Sequence, residues 1–166
     1  MAARDILLLG NDALYRTARE VTAEELEKAG QVMEDLRDTM LEFRRKYAFG
    51  RAIAAPQIGE GLRMIYMNVA GASTAIVNPR LELGPETFEV WDDCMSFPGL
   101  EVRLMRHRKC RLRFKDLAWQ DRTMDLTDDL AELIQHEYDH LDGILAVQRA
   151  IDNKSFRINP AKAGCF

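Results

Sequence analysis

The strongest chemical signal in the chain is His136-Glu137-Tyr138-Asp139-His140. Residues four apart lie on one face of a helix, so both imidazoles can reach a single metal ion. Glu137 stands beside them, where a carboxylate can take a proton from water and pass it to a leaving group. Chance pairing is a poor account, because these are two of only three histidines. A catalytic metal needs a third protein ligand and an open position. No histidine follows His140. Upstream stands Cys94, within Trp91-Asp92-Asp93-Cys94-Met95-Ser96-Phe97-Pro98-Gly99. By itself Cys94 reads as a small buried apolar group at least as readily as a ligand.

Those residues need elements to hold them. Thr127 or Asp128 opens the metal helix, which runs through Leu141 and is ended by Gly143. An earlier helix starts at Thr22, whose pairing with Glu25 has the spacing of a capping box. Leu26, Met33, Leu36, Met40, Leu41 and Phe43 then recur at helical spacing to about Tyr47. The stretch from Gly50 to Gly59, with Pro56, breaks that helix. Strands are predicted over 62–69, 75–77, 88–91 and 109–115, with turns at Asn78-Pro79 and Gly84-Pro85. Helix, several strands, helix is an α+β order. The expectation is a single domain over 1–166, with mixed, mainly antiparallel sheets packed around a central metal-binding helix.

Composition narrows the classes. The chain has 166 residues, 47% apolar and 30% charged, enough for one real core and unlike a disordered chain. No apolar run is long enough to span a membrane. The run Ile6-Leu7-Leu8-Leu9 is too short for a signal-peptide core. Cys94, Cys110 and Cys165 cannot all pair within the chain, which favours a reducing, cytoplasmic setting. A net charge of −4 argues against a dedicated nucleic-acid binder. The basic run Arg103, Arg106, His107, Arg108, Lys109, Arg111, Arg113 reads instead as the wet face of a strand. Neither DNA nor membrane is an expected partner.

Three segments together resemble the ordered motifs of the peptide deformylase family. They are Gly50-Arg51-Ala52-Ile53-Ala54-Ala55-Pro56-Gln57, Asp92-Asp93-Cys94-Met95-Ser96 and Gln135-His136-Glu137-Tyr138-Asp139-His140. The family patterns are G-x-G-x-A-A-x-Q, E-G-C-x-S and Q-H-E-x-D-H. The resemblance implies a metal-dependent hydrolase that removes formyl from N-terminal formylmethionine during protein biosynthesis. It implies Cys94, His136 and His140 as metal ligands, and Glu137 as general acid and base. The implied metal is Fe(II), replaceable by Ni(II), Co(II) or Zn(II). Gln57 and the backbone N–H of Met95 would hold the developing oxyanion. Gly50 would let the substrate backbone approach, and Leu133 would also face substrate. Relatives that dock on ribosomes use a basic C-terminal helix. Asp152-Asn153-Lys154-Ser155-Phe156-Arg157-Ile158 does not read as one, so ribosome docking is expected to be weak or absent.

The departures fall where substrate would sit. Ala52 replaces the second motif glycine, Asp93 replaces the glycine before the cysteine, and Asp92 replaces a glutamate. Arg106 is the expected partner of Asp92. Arg51, Asp129 and Glu132 occupy positions that the resemblance assigns to an apolar methionine pocket. Burying a methionine side chain contributes ~1.5–3 kcal/mol. Burying an unpaired carboxylate costs several kcal/mol. These charges must therefore stay solvated, pair together or meet a cationic ligand. Either Arg51 pairs with Glu132 or Asp129 and leaves a usable pocket, or the substrate is a polar or basic N-formyl compound or another small N-acyl amine. A non-catalytic relative is a third reading, which the intact Gln57, Cys94, Glu137, His136 and His140 oppose.

Overall fold

A computed structural model describes residues 2–163, so Cys165 lies outside the described residues. Helix α1, Leu26–Tyr47, buries Val32, Met33, Leu36, Met40 and Phe43 along one stripe. It begins later than the sequence suggests. Ala23–Glu25 form a tight 3-10 turn, closed where the Thr22 N–H donates to Glu25 Oε2 at 3.0 Å.

Five antiparallel strands form the larger sheet: β1 (Ala52–Ala54), β2 (Met64–Val69), β3 (Ala72–Leu83), β6 (Lys109–Lys115) and β7 (Asp121–Thr127), in that spatial order. The smaller sheet pairs β4 (Thr87–Asp93), β5 (Leu100–His107) and β8 (Phe156–Ile158). Helix α2, Asp128–Leu141, matches the sequence expectation at both ends. The period-two geometry of β1 and β2 decides what lies where. Ile53, Met64 and Tyr66 face one core with the apolar stripe of α1. Ala52, Ala54, Ile65 and Met67 face the opposite core with Ala131, Ile134 and Leu141 of α2. The two helices therefore sandwich the sheet, and α2 is fixed against the site-bearing strand β1. The predicted α+β class and its antiparallel sheets are observed.

Some local expectations fail for physical reasons. The Asn78-Pro79 turn is a bulge inside β3, where the register shifts between Val77 and Arg80. Asn78 adopts φ +50, and its amide accepts from Val21 N at 2.9 Å and donates to Val21 O at 2.8 Å. The Asn78 side chain thus ties the Val21 backbone to β3 at the point where proline interrupts the pairing with β6. The break at 50–59 contains β1 and a 3-10 turn, Ala55–Ile58. Strands β5, β7 and β8 were not expected, and β5 was hidden by charge, since its Glu101 and Arg106 are buried ions.

Gly143 stops α2 with φ +72. An added Cβ there would lie 2.5 Å from the Tyr15 carbonyl oxygen. Gly143→Ala is therefore expected to lose about 2–4 kcal/mol of stability, from a left-handed backbone plus a backbone clash. Urea unfolding with an unchanged m-value is the check.

Candidate active site

The three motifs converge on one cavity of about 410 Å³. Helix α2 presents His136 and His140 on one face, and the turn after β4 brings Cys94 to them. Cys94 Sγ lies 3.3 Å from His140 Nε2, which lies 3.2 Å from His136 Nε2. All three donor atoms are within 4.8 Å of one another and buried. Atoms sharing one tetrahedral ion at ordinary Zn–S and Zn–N lengths would sit about 3.3–3.6 Å apart, so the set fits such an ion. One thiolate and two imidazoles suit iron, nickel, cobalt or zinc. The Ser96 N–H points at Cys94 Sγ from 3.4 Å.

A buried ionic chain orients the site. Asp92, at the end of β4, places Oδ1 2.9 Å from His136 Nδ1, off the line of that ring N–H. Its Oδ2 accepts from Arg106 Nη2 at 2.7 Å, as the sequence predicted. Arg106 also donates to Asp139 Oδ2 at 2.6 Å, and Arg149 caps Asp139 with two more bonds. Burial opposes ionisation of Asp92, but His136 and Arg106 outweigh it and hold the carboxyl down at about 2. Burial likewise opposes charge on His136, and Asp92 and Cys94 outweigh it, so its pKa lies well above the usual range. His140 is pushed well below that range by burial and by His136.

Glu137 is buried, and its Oε2 has no hydrogen-bond partner. Burial, helped by Asp92 and Asp93, pushes its carboxyl up to about 7 against the pull of His136 and Arg106. Gln57 follows β1 on the 3-10 turn, with its Oε1 fixed by the Ala54 N–H at 2.9 Å. Its Nε2 therefore faces Ser96 Oγ at 3.1 Å and Cys94 Sγ at 3.6 Å. The Met95 N–H sits in the turn after Cys94 and meets no acceptor among the described residues.

Most sequence-predicted substrate-side residues line this cavity: Gly50, Arg51, Ala52, Asp93, Glu132 and Leu133. Asp129 does not. Seven residues before His136 is about 10 Å along a helix, and its side chain is 68% exposed at the rim, paired with Arg51. Gly50 has φ +113, and a Cβ there would press on Met95 Sδ at 3.1 Å. Its immediate neighbours are thus Met95 and Phe43. Asp93 is paired with Lys162, which also approaches Glu101 Oε1 at 3.5 Å. Lys162 was missed, as were Arg44, Ala48 and Phe49 of the lining. Only the pairing of β8 with β5 brings Lys162 there, so no local signal marked it.

Two outcomes follow from these charges. Arg106→Met would leave Asp92 and Asp139 facing each other without their shared cation, and is expected to cost about 3–5 kcal/mol in urea unfolding. Glu137 carries a raised folded pKa, so its contribution to stability is full below pH 4.5 and is lost as pH rises through about 7. Metal-free Glu137→Gln is therefore expected to gain about 2 kcal/mol relative to the parent between pH 5 and pH 8. Urea midpoints at both pH values measure this.

A family model described as polypeptide deformylase matches residues 3–156. A peptide deformylase of Dictyoglomus turgidum is 34% identical over 137 residues, covering 82% of this chain and 88% of the relative. The crystal structure of peptide deformylase from Thermotoga maritima superposes with a TM-score of 0.83 at 28% identity, over 92% of this chain and 100% of that one. An actinonin-bound class I type b peptide deformylase from Acinetobacter baumannii gives 0.80 at 30% identity, over 90% and 99%. With motif order, fold and site geometry all agreeing, the chain belongs to the polypeptide deformylase family.

Proposed function

We propose that this chain is a metal-dependent hydrolase that removes the formyl group from N-formylated peptides, formylmethionine first among them. The observation that carries the reading is the convergence of Cys94, His136 and His140 beside Glu137 and Gln57 in one cavity. Cys94, His136 and His140 would hold a divalent ion, Fe(II) by preference, with Ni(II), Co(II) or Zn(II) as substitutes. Such an ion supplies a Lewis acid that acidifies water and polarises a carbonyl.

The chain's own residues do the rest. Glu137, poised near neutrality, takes a proton from water in the cavity. The oxygen of that water bonds to the formyl carbon, and Glu137 returns the proton to the amine nitrogen as the C–N bond breaks, so formate and a free N-terminus leave. Gln57 Nε2 and the Met95 N–H donate to the formyl oxygen as it gains negative charge. Donors aimed this way before reaction begins need no reorganisation. The Arg51–Asp129 pair neutralises charge at the rim and leaves room for a side chain. None of the comparisons supports a small-molecule substrate or a non-catalytic role.

The same reading places the enzyme in the cytoplasm, where free Cys94 and Cys110 stay reduced. No helix among the described residues is long and apolar enough to cross a membrane. Arg108, Arg111 and Arg113 of the basic run meet Asp128, Asp125 and Glu82, which supports a solvated strand face over a nucleic-acid surface. Residues 156–158 are spent on pairing with β5, which supports weak or absent ribosome docking.

The test is turnover of formyl-Met-Ala-Ser by nickel- or cobalt-loaded protein. Expected losses are 10²–10⁴-fold for Glu137→Ala and about 10²–10³-fold for Gln57→Ala. Cys94→Ala should lose metal on dialysis. Full turnover by Glu137→Ala would refute the assignment.

A further inference from the structure

The cavity holds one carboxylate that the proposed chemistry does not use. Glu132 lines the wall one helical turn before His136, half-buried. No donor among the described residues hydrogen-bonds to it. Nearby cations are engaged elsewhere: Arg51 by Asp129, Lys162 by Asp93 and Glu101, and Arg44 by the Gly50 carbonyl and Asn68. Leu133 and Phe49 line the same cavity, as do the charged Arg51, Asp92, Asp93 and His136.

A side chain entering this space must displace water from that carboxylate. An apolar side chain gives nothing back, and a carboxylate stripped of water without a partner is costly. A side chain ending in an ammonium or amide returns a charge-assisted hydrogen bond. Sites with a buried polar group discriminate strongly by whether that group is satisfied.

We infer that Glu132 sets the first-residue preference of the cavity, admitting N-formyl peptides whose first side chain ends in a hydrogen-bond donor alongside formylmethionine. This rests on the deformylase reading, which seats the formylated residue in this cavity. Lysine and glutamine have the length and the donors to reach such a group.

The test compares kcat/KM for formyl-Met-, formyl-Gln- and formyl-Lys-Ala-Ser in the metal-loaded parent, Glu132→Leu and Glu132→Gln. In parallel, calorimetry measures binding of Met-Ala-Ser and Lys-Ala-Ser to metal-free protein. The parent is expected to turn over the lysine peptide within about tenfold of the methionine peptide. Glu132→Leu should lower the Lys:Met ratio at least about tenfold in both turnover and binding. Glu132→Gln should lower Lys:Met while keeping Gln:Met within about threefold, because a neutral amide still accepts from an amide. Equal Lys:Met ratios in parent and Glu132→Leu would overturn the inference. If the parent turned over none of the peptides while the binding ratio still fell in Glu132→Leu, the deformylase reading would fail and the preference would stand.

Discussion

Arg106 never reaches the cavity, yet the geometry within it depends on this one guanidinium. It joins Asp92 at the end of β4 to Asp139 on α2, and so ties the smaller sheet to the helix that carries both histidines. A buried cation between two carboxylates is weak evidence for stability as such, since desolvation offsets much of the attraction. Its value here is positional. With Arg106 in place, Asp92 keeps one oxygen for the guanidinium and holds the other 2.9 Å behind the His136 ring, as an ionic contact. Asp92 performs both contacts although it is one methylene shorter than the glutamate its motif leads one to expect.

Rigid elements deliver every group of the site. Both imidazoles come from one helix locked on the sheet through Ala131, Ile134 and Leu141. The Gln57 carboxamide is turned by a backbone donor, so its N–H groups, and not its oxygen, face the cavity. Cys94 is held by a turn whose own amide, Ser96 N–H, contacts the sulfur. Positioning on helices and strands is more exact than on free loops, which suits a reaction that needs several donors aligned at once.

What the sequence displayed followed the range of the interaction that made it. The His136–His140 pair and α2 were legible because helical spacing is local. Cys94 was not legible as a candidate ligand until its motif was matched, because only tertiary packing brings it to the histidines. Asp129 misled for the converse reason: it shares the helical face of His136, but lies at the rim, where solvent and Arg51 claim it. Strand β5 was obscured by its buried Glu101 and Arg106, whose partners Arg157, Asn159, Asp92 and Asp139 come from other parts of the chain. Asn78-Pro79 has turn chemistry, and its bulge inside β3 is visible only once Val21 supplies the partner for the amide.

The same long-range pairing explains how so polar a helix stays buried. Helix α2 buries Gln135, His136, Glu137, Asp139 and His140 within two turns. Gln135 is satisfied by the His107 backbone on both sides, and Asp139 by two arginines. His136 Nδ1, Glu137 Oε2 and His140 Nδ1 are left without hydrogen-bond partners. Unsatisfied buried groups lower stability, and they persist only where surrounding contacts over-determine the fold. The compensation is at hand in the apolar face of α2, in its left-handed stop at Gly143 and in Arg63, which donates to the Leu141 carbonyl and to Asp142. The helix is therefore strongest at the points away from its reactive turn. The frustration it carries is confined to the three residues of its reactive turn, His136, Glu137 and His140.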